Sequence, residues 1–292
     1  MKLLDDVRIP DHPYPELREV LEIFVAEVKA ELAENLVGIY LVGSLASGGF
    51  DADSDVDFLV VIHTELTEAN IRNLQAIQRR IHGIDCYPAK HLEGSYISIS
   101  DLNDWGTVGR KKLYYFDNGS TTFEWSVHDN NWHVRWILRE RGITLVGEQP
   151  ETLLRPIPPA ELLSEMETSL IRITDAFTEA ITRPLNFWNS RFGQSFAILT
   201  CCRILHTLHT GTVQSKKVGA KWARQHVETR WIPLLDQAWR EREGVRFGVK
   251  IGQKADEDLL YETLEFMRYA ATLTERVKVQ PPSDQTDPPA SA

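Results

Sequence analysis

Between Glu16 and Leu36, Leu17, Val20, Leu21, Phe24, Val28 and Leu32 recur at three- and four-residue steps. That is the period of one helix face, and Pro15 is placed to open it. Val37 to Val42 is a short apolar run of strand length. A second, Asp57 to Ile62, is apolar on both faces beyond its first residue, which predicts a strand inside a sheet rather than at its edge. Thr67 offers an N-cap to a helix with Ile71, Leu74, Ile77 and Ile81 on one face, closed by Gly83. A third strand is expected over Gly94 to Ser100, after Glu93. Residues 101–128 show no period but are rich in aromatics, which read as a satellite core under a long loop or as a substrate wall. Trp132 to Arg141 is helical in pattern and ends at Gly142.

Pro150, Pro156, Pro158 and Pro159 then punctuate the chain, which marks a domain boundary. Beyond them nearly everything has helical period: Glu161–Thr182, Gly193–Thr210 (closed by Gly211), Lys216–His226, Ile232–Glu241 and Glu257–Val277. The pattern predicts an α/β (α+β) domain with a mixed sheet over residues 1–147 and a linker over 148–158. An all-α helical bundle over 159–279 and a disordered tail over 280–292 follow. The cleft between the two domains is the default place for ligands.

Composition narrows the partners. Lys plus Arg number 32 against 42 Asp plus Glu, a formal charge of −10, which argues against a protein gripping nucleic acid through its overall field. Acidity suits a small cationic substrate and suits solubility equally. Cys86, Cys201 and Cys202 form no disulfide framework and read as small buried apolar residues in a reducing compartment. No apolar signal core opens the chain, and no run approaches the roughly 18 residues a bilayer span needs. A cytoplasmic monomer without membrane or nucleic-acid partners is the expectation.

One segment carries the chemistry. Residues 43–57 read Gly-Ser-Leu-Ala-Ser-Gly-Gly-Phe-Asp-Ala-Asp-Ser-Asp-Val-Asp and run straight into an apolar strand. Asp55 and Asp57, two apart, point the same way at its mouth, about 6.5–7 Å apart along the chain. Two acids so close need a cation, and hard oxygen ligands at that spacing suit Mg²⁺ held together with substrate phosphates. Upstream, Gly43 permits a close turn, and the Ser44 amide and hydroxyl can face a phosphate at a helix start. Glu93, at the start of the next strand, is the best-placed third carboxylate, either facing the Asp pair or taking a proton from an incoming hydroxyl. An ordinary exposed strand-start acid is the alternative.

Lys216 and Lys217 sit at a helix start, where the dipole prefers an anion. Arg203, on an apolar helix, needs either an ion pair or a phosphate. His206 and His209, three apart, read as packing histidines rather than metal ligands. No zinc-finger, zincin or P-loop motif is present.

Gly43-Ser44, ten residues, then Asp55-Val56-Asp57 before a buried strand resembles the nucleotidyltransferase superfamily, the polymerase β-like palm. Leu92-Glu93-Gly94-Ser95-Tyr96, Ile143 to Gly147, Pro156 to Glu161, Leu199-Thr200, Arg203-Ile204, Thr210-Gly211, Ser215-Lys216 and Lys221-Trp222 are similar to segments of the streptomycin/spectinomycin adenylyltransferases. The resemblance covers about residues 37 to 240. It implies a nucleotidyltransferase domain joined to a helical one, with Mg²⁺ and ATP used to adenylylate a hydroxyl of an aminoglycoside or aminocyclitol antibiotic. It further implies Asp55 and Asp57 as metal ligands, with Glu93 beside them as the base. Gly43, Ser44 and Ser54 would lie at the phosphates, and Arg203 and Lys216 would reach the nucleotide.

The substrate side departs from the family. Its streptomycin users carry a tryptophan near the position of Asn118 and acids in the segment that here reads Trp188 to Gly193, and this chain has no acid between Thr182 and Thr210. Spectinomycin is therefore expected over streptomycin. A nucleotidyltransferase acting on protein or RNA, and a nucleotide sensor without turnover, are the competing readings.

Overall fold

The computed structural model describes residues 14–181, 183, 186–242 and 253–277. The expected disordered tail lies outside them. Contacts divide the chain after Glu165 into two compact units.

The first unit holds a sheet. Its elements in order are α1 (Pro15–Leu32), β1 (Leu36–Leu41), α2 (Gly43–Ala46), β2 (Val56–Ile62), α3 (Glu68–His82), α4 (Tyr87–Lys90) and β3 (Leu92–Ser98). They continue with α5 (Ile99–Asn103), β4 (Leu113–Phe116), β5 (Glu124–Ser126), α6 (Trp132–Arg141), β6 (Ile143–Gly147) and α7 (Pro150–Leu153). Among the described residues the six strands form one sheet in the order β5-β4-β3-β2-β1-β6. β2 and β3 are parallel, joined through α3, and the other neighbours are antiparallel. The sheet is mixed, as the sequence predicts, and β2 is interior.

Alternation along the strands sorts the two faces. Ile39, Leu41, Val56, Phe58, Val60, Ile62, Leu92, Tyr96 and Phe116 share one core with Leu17, Val20, Leu21, Phe24, Val25 and Val28 of α1 and Leu74, Ile77 and Ile81 of α3. Each such side chain contributes about 1.5–3 kcal/mol on leaving water. The residues between them, Asp57, Glu93, Ser95 and Tyr115, fall on the opposite face. Thr67 caps α3 through a reciprocal pair with Asn70, Thr67 accepting from the Asn70 amide.

Three expectations need correction, and one strand, Ile143–Gly147, was not predicted. The third strand starts at Leu92, not Gly94, and stops at Ser98, so Glu93 lies inside it. β2 starts at Val56, one residue before the expected Asp57, so Asp55 still lies just ahead of it. Ile143–Gly147 is a strand on the sheet edge, paired with β1. Residues 101–128, expected to be irregular, hold β4 and β5 and extend the sheet.

That last stretch hides its order because polar contacts organise much of it. Arg135 of α6 is 1% exposed and donates to the carbonyls of Leu102 and Asp101 and to Asn130 Oδ1. Buried Asn130 in turn donates to the carbonyls of Thr107 and Lys111. Burial lowers the Arg135 guanidinium to about 10, still charged at neutral pH.

The helix α8 (Pro159–Ile181) begins in the first unit and ends in the second. The second unit continues with α9 (Arg191–Thr210), α10 (Lys216–His226), α11 (Ile232–Arg242) and α12 (Glu257–Val277). These match the predicted helices to within two residues. α9 is its axis: Ala197, Ile198, Leu199, Cys201, Cys202, Ile204, Leu205 and Leu208 are buried, and α10, α11 and α12 all pack on it. Gly211 closes α9 at φ 67°. At Gly219 a Cβ would lie 2.7 Å from the Arg203 Cα, so α10 approaches α9 backbone to backbone. No described helix is long and apolar enough to cross a membrane.

Candidate active site

Asp57 and Glu93 are direct partners in the parallel register of β2 and β3. Both side chains stand on the face turned away from α1 and α3. Asp55, two residues before Asp57, joins them, and one carboxylate oxygen from each of the three lies within 4.8 Å of the others. The sequence placed these acids near one another; the register makes them one cluster.

The turn after β1 holds the cluster from above. Gly43 has φ 56°, and a Cβ there would fall 1.9 Å from Asp57 Oδ2. Only glycine fits, on backbone and on space alike. The following Ser44 amide donates to Asp57 Oδ2 at 3.3 Å, and its hydroxyl is buried without a hydrogen-bond partner. Ser54 is buried and donates to Asp51 Oδ1 at 2.8 Å, so its hydroxyl braces the loop that carries Asp55.

On the other side Glu93 Oε1 accepts from the Tyr115 hydroxyl at 2.5 Å, and that hydroxyl lies 3.0 Å from Asp117 Oδ1. His128 Nε2 is 3.4 Å from Glu93 Oε1, with its ring stacked on Tyr115 at 4.8 Å. Asp129 accepts from Ser95 at 2.7 Å. Asn118 Nδ2 donates to Asp55 Oδ2 at 3.3 Å, and its Oδ1 meets His91 Nδ1 at 2.7 Å. Burial, then the charges of Asp55 and Asp57, push Glu93 up to about 9, against the Tyr115 hydrogen bond that lowers it. Burial likewise raises Asp129, opposed by His128 and Ser95.

A half-buried three-carboxylate cluster with a carboxyl forced to hold its proton is a poor resting state and a fitting ligand set for a hard divalent cation. The unpartnered Ser44 hydroxyl beside it matches a further oxygen-rich group. Asp55, Asp57 and Glu93 together could hold a metal ion.

The site also contains residues that periodicity did not single out. Tyr115 belongs to the aromatic stretch that reads as either a satellite core or a substrate wall, and strand alternation would have put it on the acid face had β4 been recognised. No periodicity marks His128 or Asp129, and Ser95 entered only within the Leu92 to Tyr96 resemblance.

Arg203 and Lys216 lie in the second unit, on the packed pair α9 and α10. Lys216 is the first residue of α10, with Nζ 4.5 Å over the Phe196 ring. Ser215 caps that helix through the Val218 amide. His206 and His209 pack against Trp222, with ring centroids at 6.0 and 5.2 Å, in keeping with a packing role.

Comparison with known proteins joins the two units. Residues 17–100 match a family model for the nucleotidyltransferase domain, and residues 152–275 match one for the aminoglycoside adenylyltransferase C-terminal domain. A spectinomycin 9-adenylyltransferase of Staphylococcus aureus is 26% identical over 257 residues, spanning 84% of this chain and 88% of the relative. An aminoglycoside (3'') (9) adenylyltransferase of Shigella flexneri is 24% identical over 240 residues, 74% of this chain and 86% of the relative. A crystal structure of a spectinomycin adenyltransferase from Enterococcus faecialis, with ATP and spectinomycin, superposes with a TM-score of 0.66 at 18% identity. It covers 87% of this chain and 99% of its own. With a nucleotidyltransferase domain, its clustered carboxylates and the matching C-terminal helical domain in one polypeptide, the chain belongs to the aminoglycoside adenylyltransferase family of nucleotidyltransferases.

Proposed function

We propose that the protein transfers AMP from ATP to a hydroxyl of a small cationic aminocyclitol or aminoglycoside antibiotic, spectinomycin before streptomycin. The acceptor oxygen bonds to the α-phosphorus, the bond from that phosphorus to the bridging oxygen breaks, and pyrophosphate leaves with the bond pair. The observation that carries the reading is the cluster itself: Asp55, Asp57 and Glu93 with oxygens within 4.8 Å, beside the Gly43-Ser44 turn.

Asp55, Asp57 and Glu93 would hold Mg²⁺, which would supply charge stabilisation at the transferring phosphoryl group. Glu93 takes the proton of the acceptor hydroxyl, for which an unprotonated carboxylate is needed. Burial and the charges of Asp55 and Asp57 hold its pKa high, and neutralising those charges would lower that pKa and leave the carboxylate ionised to accept this proton. The Ser44 amide and hydroxyl and the Ser54 loop form the phosphate side. Arg203 and Lys216 are proposed as nucleotide contacts by the family resemblance. Trp188 and its aromatic neighbours carry no acid in their segment, which supports an acceptor without guanidinium groups.

The test is incubation of the purified chain with ATP, Mg²⁺ and a panel of aminocyclitols and aminoglycosides, following pyrophosphate and the product mass. A gain of one adenylyl group on spectinomycin is expected. No adenylylated product from any member of the panel overturns the reading.

A further inference from the structure

The end of β4 and the turn after it reach the carboxylate cluster twice. Tyr115 donates to Glu93 at 2.5 Å and Asn118 donates to Asp55 at 3.3 Å. The third carboxylate, Asp57, receives the Ser44 amide. Besides His128 Nε2, 3.4 Å from Glu93, each acid thus accepts from an uncharged donor. A lysine in the same place would hold a carboxylate more firmly but would also cancel the charge that a cation needs. Neutral donors orient without neutralising.

Both donors are themselves fixed. Tyr115 is set on the acid face by its pairing with Ser95 across β3 and β4, and its ring is stacked on His128. Asn118 has its amide orientation fixed by His91: with Oδ1 2.7 Å from Nδ1, the imidazole donates from Nδ1, and the amide NH₂ is left facing Asp55. His91 packs on Tyr87 at 4.0 Å, and its carbonyl accepts the Val56 amide at 2.9 Å. The contacts therefore return to the residue next to Asp55. A surface turn has no packing reason to place an amide against an acid.

We infer that Tyr115 and Asn118 are positioning residues for the divalent-cation site, holding Glu93 and Asp55 in the arrangement the cation uses. The inference rests on the proposed function only for the identity of the cation site. A charged hydrogen bond lost at one ligand translates into roughly a ten- to hundredfold change in affinity.

The experiment is a Mn²⁺ titration of the full chain by electron paramagnetic resonance, without acceptor. Wild type is compared with Tyr115→Phe, Asn118→Ala and His91→Ala, each also unfolded in urea with chelator present. Tyr115→Phe keeps the ring on His128, and so keeps the fold. Mn²⁺ affinity should fall at least about tenfold in Tyr115→Phe and in Asn118→Ala, and less in His91→Ala. The Mg²⁺ concentration for half-maximal turnover should rise in parallel while the acceptor KM holds. Wild-type Mn²⁺ affinity in both Tyr115→Phe and Asn118→Ala, with or without lost stability, overturns the inference. Wild type that binds Mn²⁺ yet modifies no acceptor defeats the proposed activity alone, because the binding comparison among variants still decides the positioning role.

Discussion

Glu93 is costly to the resting protein and useful to the working one. At 9% exposure, beside two aspartates, it keeps its proton in the metal-free state through neutral pH. The folded chain then binds a proton that the unfolded chain releases near 4.5. Stability from this group is fully present below that value and is lost as pH rises towards about 9. Glu93→Gln is neutral throughout, so in chelator its Tm should decline less between about pH 6 and 9 than that of wild type. A parallel decline in the two proteins would mean that Glu93 titrates normally. Divalent-cation binding should release a proton over the same window, and affinity should climb with pH. With the cation bound, the same substitution should keep nucleotide affinity and lose turnover by about 10²–10⁴-fold. Equal losses of affinity and rate would reassign Glu93 as a ligand rather than a base. The three acids were legible in the sequence because spacing and strand period fix them. Their neutral partners were not: Tyr115, Asn118 and His91 depend on a register and a turn that no local pattern announces.

Elements with an apolar period were read nearly to the residue, whereas those held by polar networks were lost. α10 and α12 have the predicted limits, and α3 has its predicted cap. β4 and β5 were missed because their stretch is pinned by Arg135 and Asn130, whose donors go to backbone carbonyls far along the chain. β6 was missed because five residues between two helices give too little pattern to separate strand from loop. The α9–α10 pair shows a further limit, since Gly219 looks like an ordinary helical glycine until its neighbour is known. Gly219→Ala would place a methyl 2.7 Å from the Arg203 Cα, and the two helices must part to admit it. Helix propensity alone favours the alanine by about 1 kcal/mol, so the sign tests the packing. A net loss of about 1–3 kcal/mol in urea unfolding is expected. A stabilised variant would show that the helices separate freely.

At the scale of the whole molecule, the question is which cation the enzyme accepts. Asn118 stands where the family's streptomycin users carry an indole, and its amide is committed to Asp55 and His91. Between Trp188 and Gly193 the single charge is Arg191, which holds Glu241 through two bonds of 2.6 and 2.9 Å. Trp188 is packed among Phe177, Phe187 and Phe196. Two guanidinium groups would find no carboxylate from this segment to pair with. We expect kcat/KM for streptomycin to lie about ten- to a hundredfold below that for spectinomycin. Equal values would locate the missing acids elsewhere, with Asp117 and Asp129 the first to substitute.

Contacts divide the chain a few residues beyond the proline-rich stretch, and Glu165 stands at that point. This glutamate, on α8, accepts the Trp132 amide at 2.6 Å and the His133 amide at 3.1 Å, and its Oε1 lies 2.8 Å from His133 Nδ1. Burial pushes its carboxyl up, but His133 and the two amides outweigh burial and hold it low. It is the anion at the start of α6, supplied from about thirty residues downstream rather than from α6 itself. A gene fragment cut among the prolines would deliver a catalytic half whose α6 begins with two orphaned amides. The shortest self-contained piece of the sheet unit must carry the first seven residues of a helix that belongs mostly to the other half.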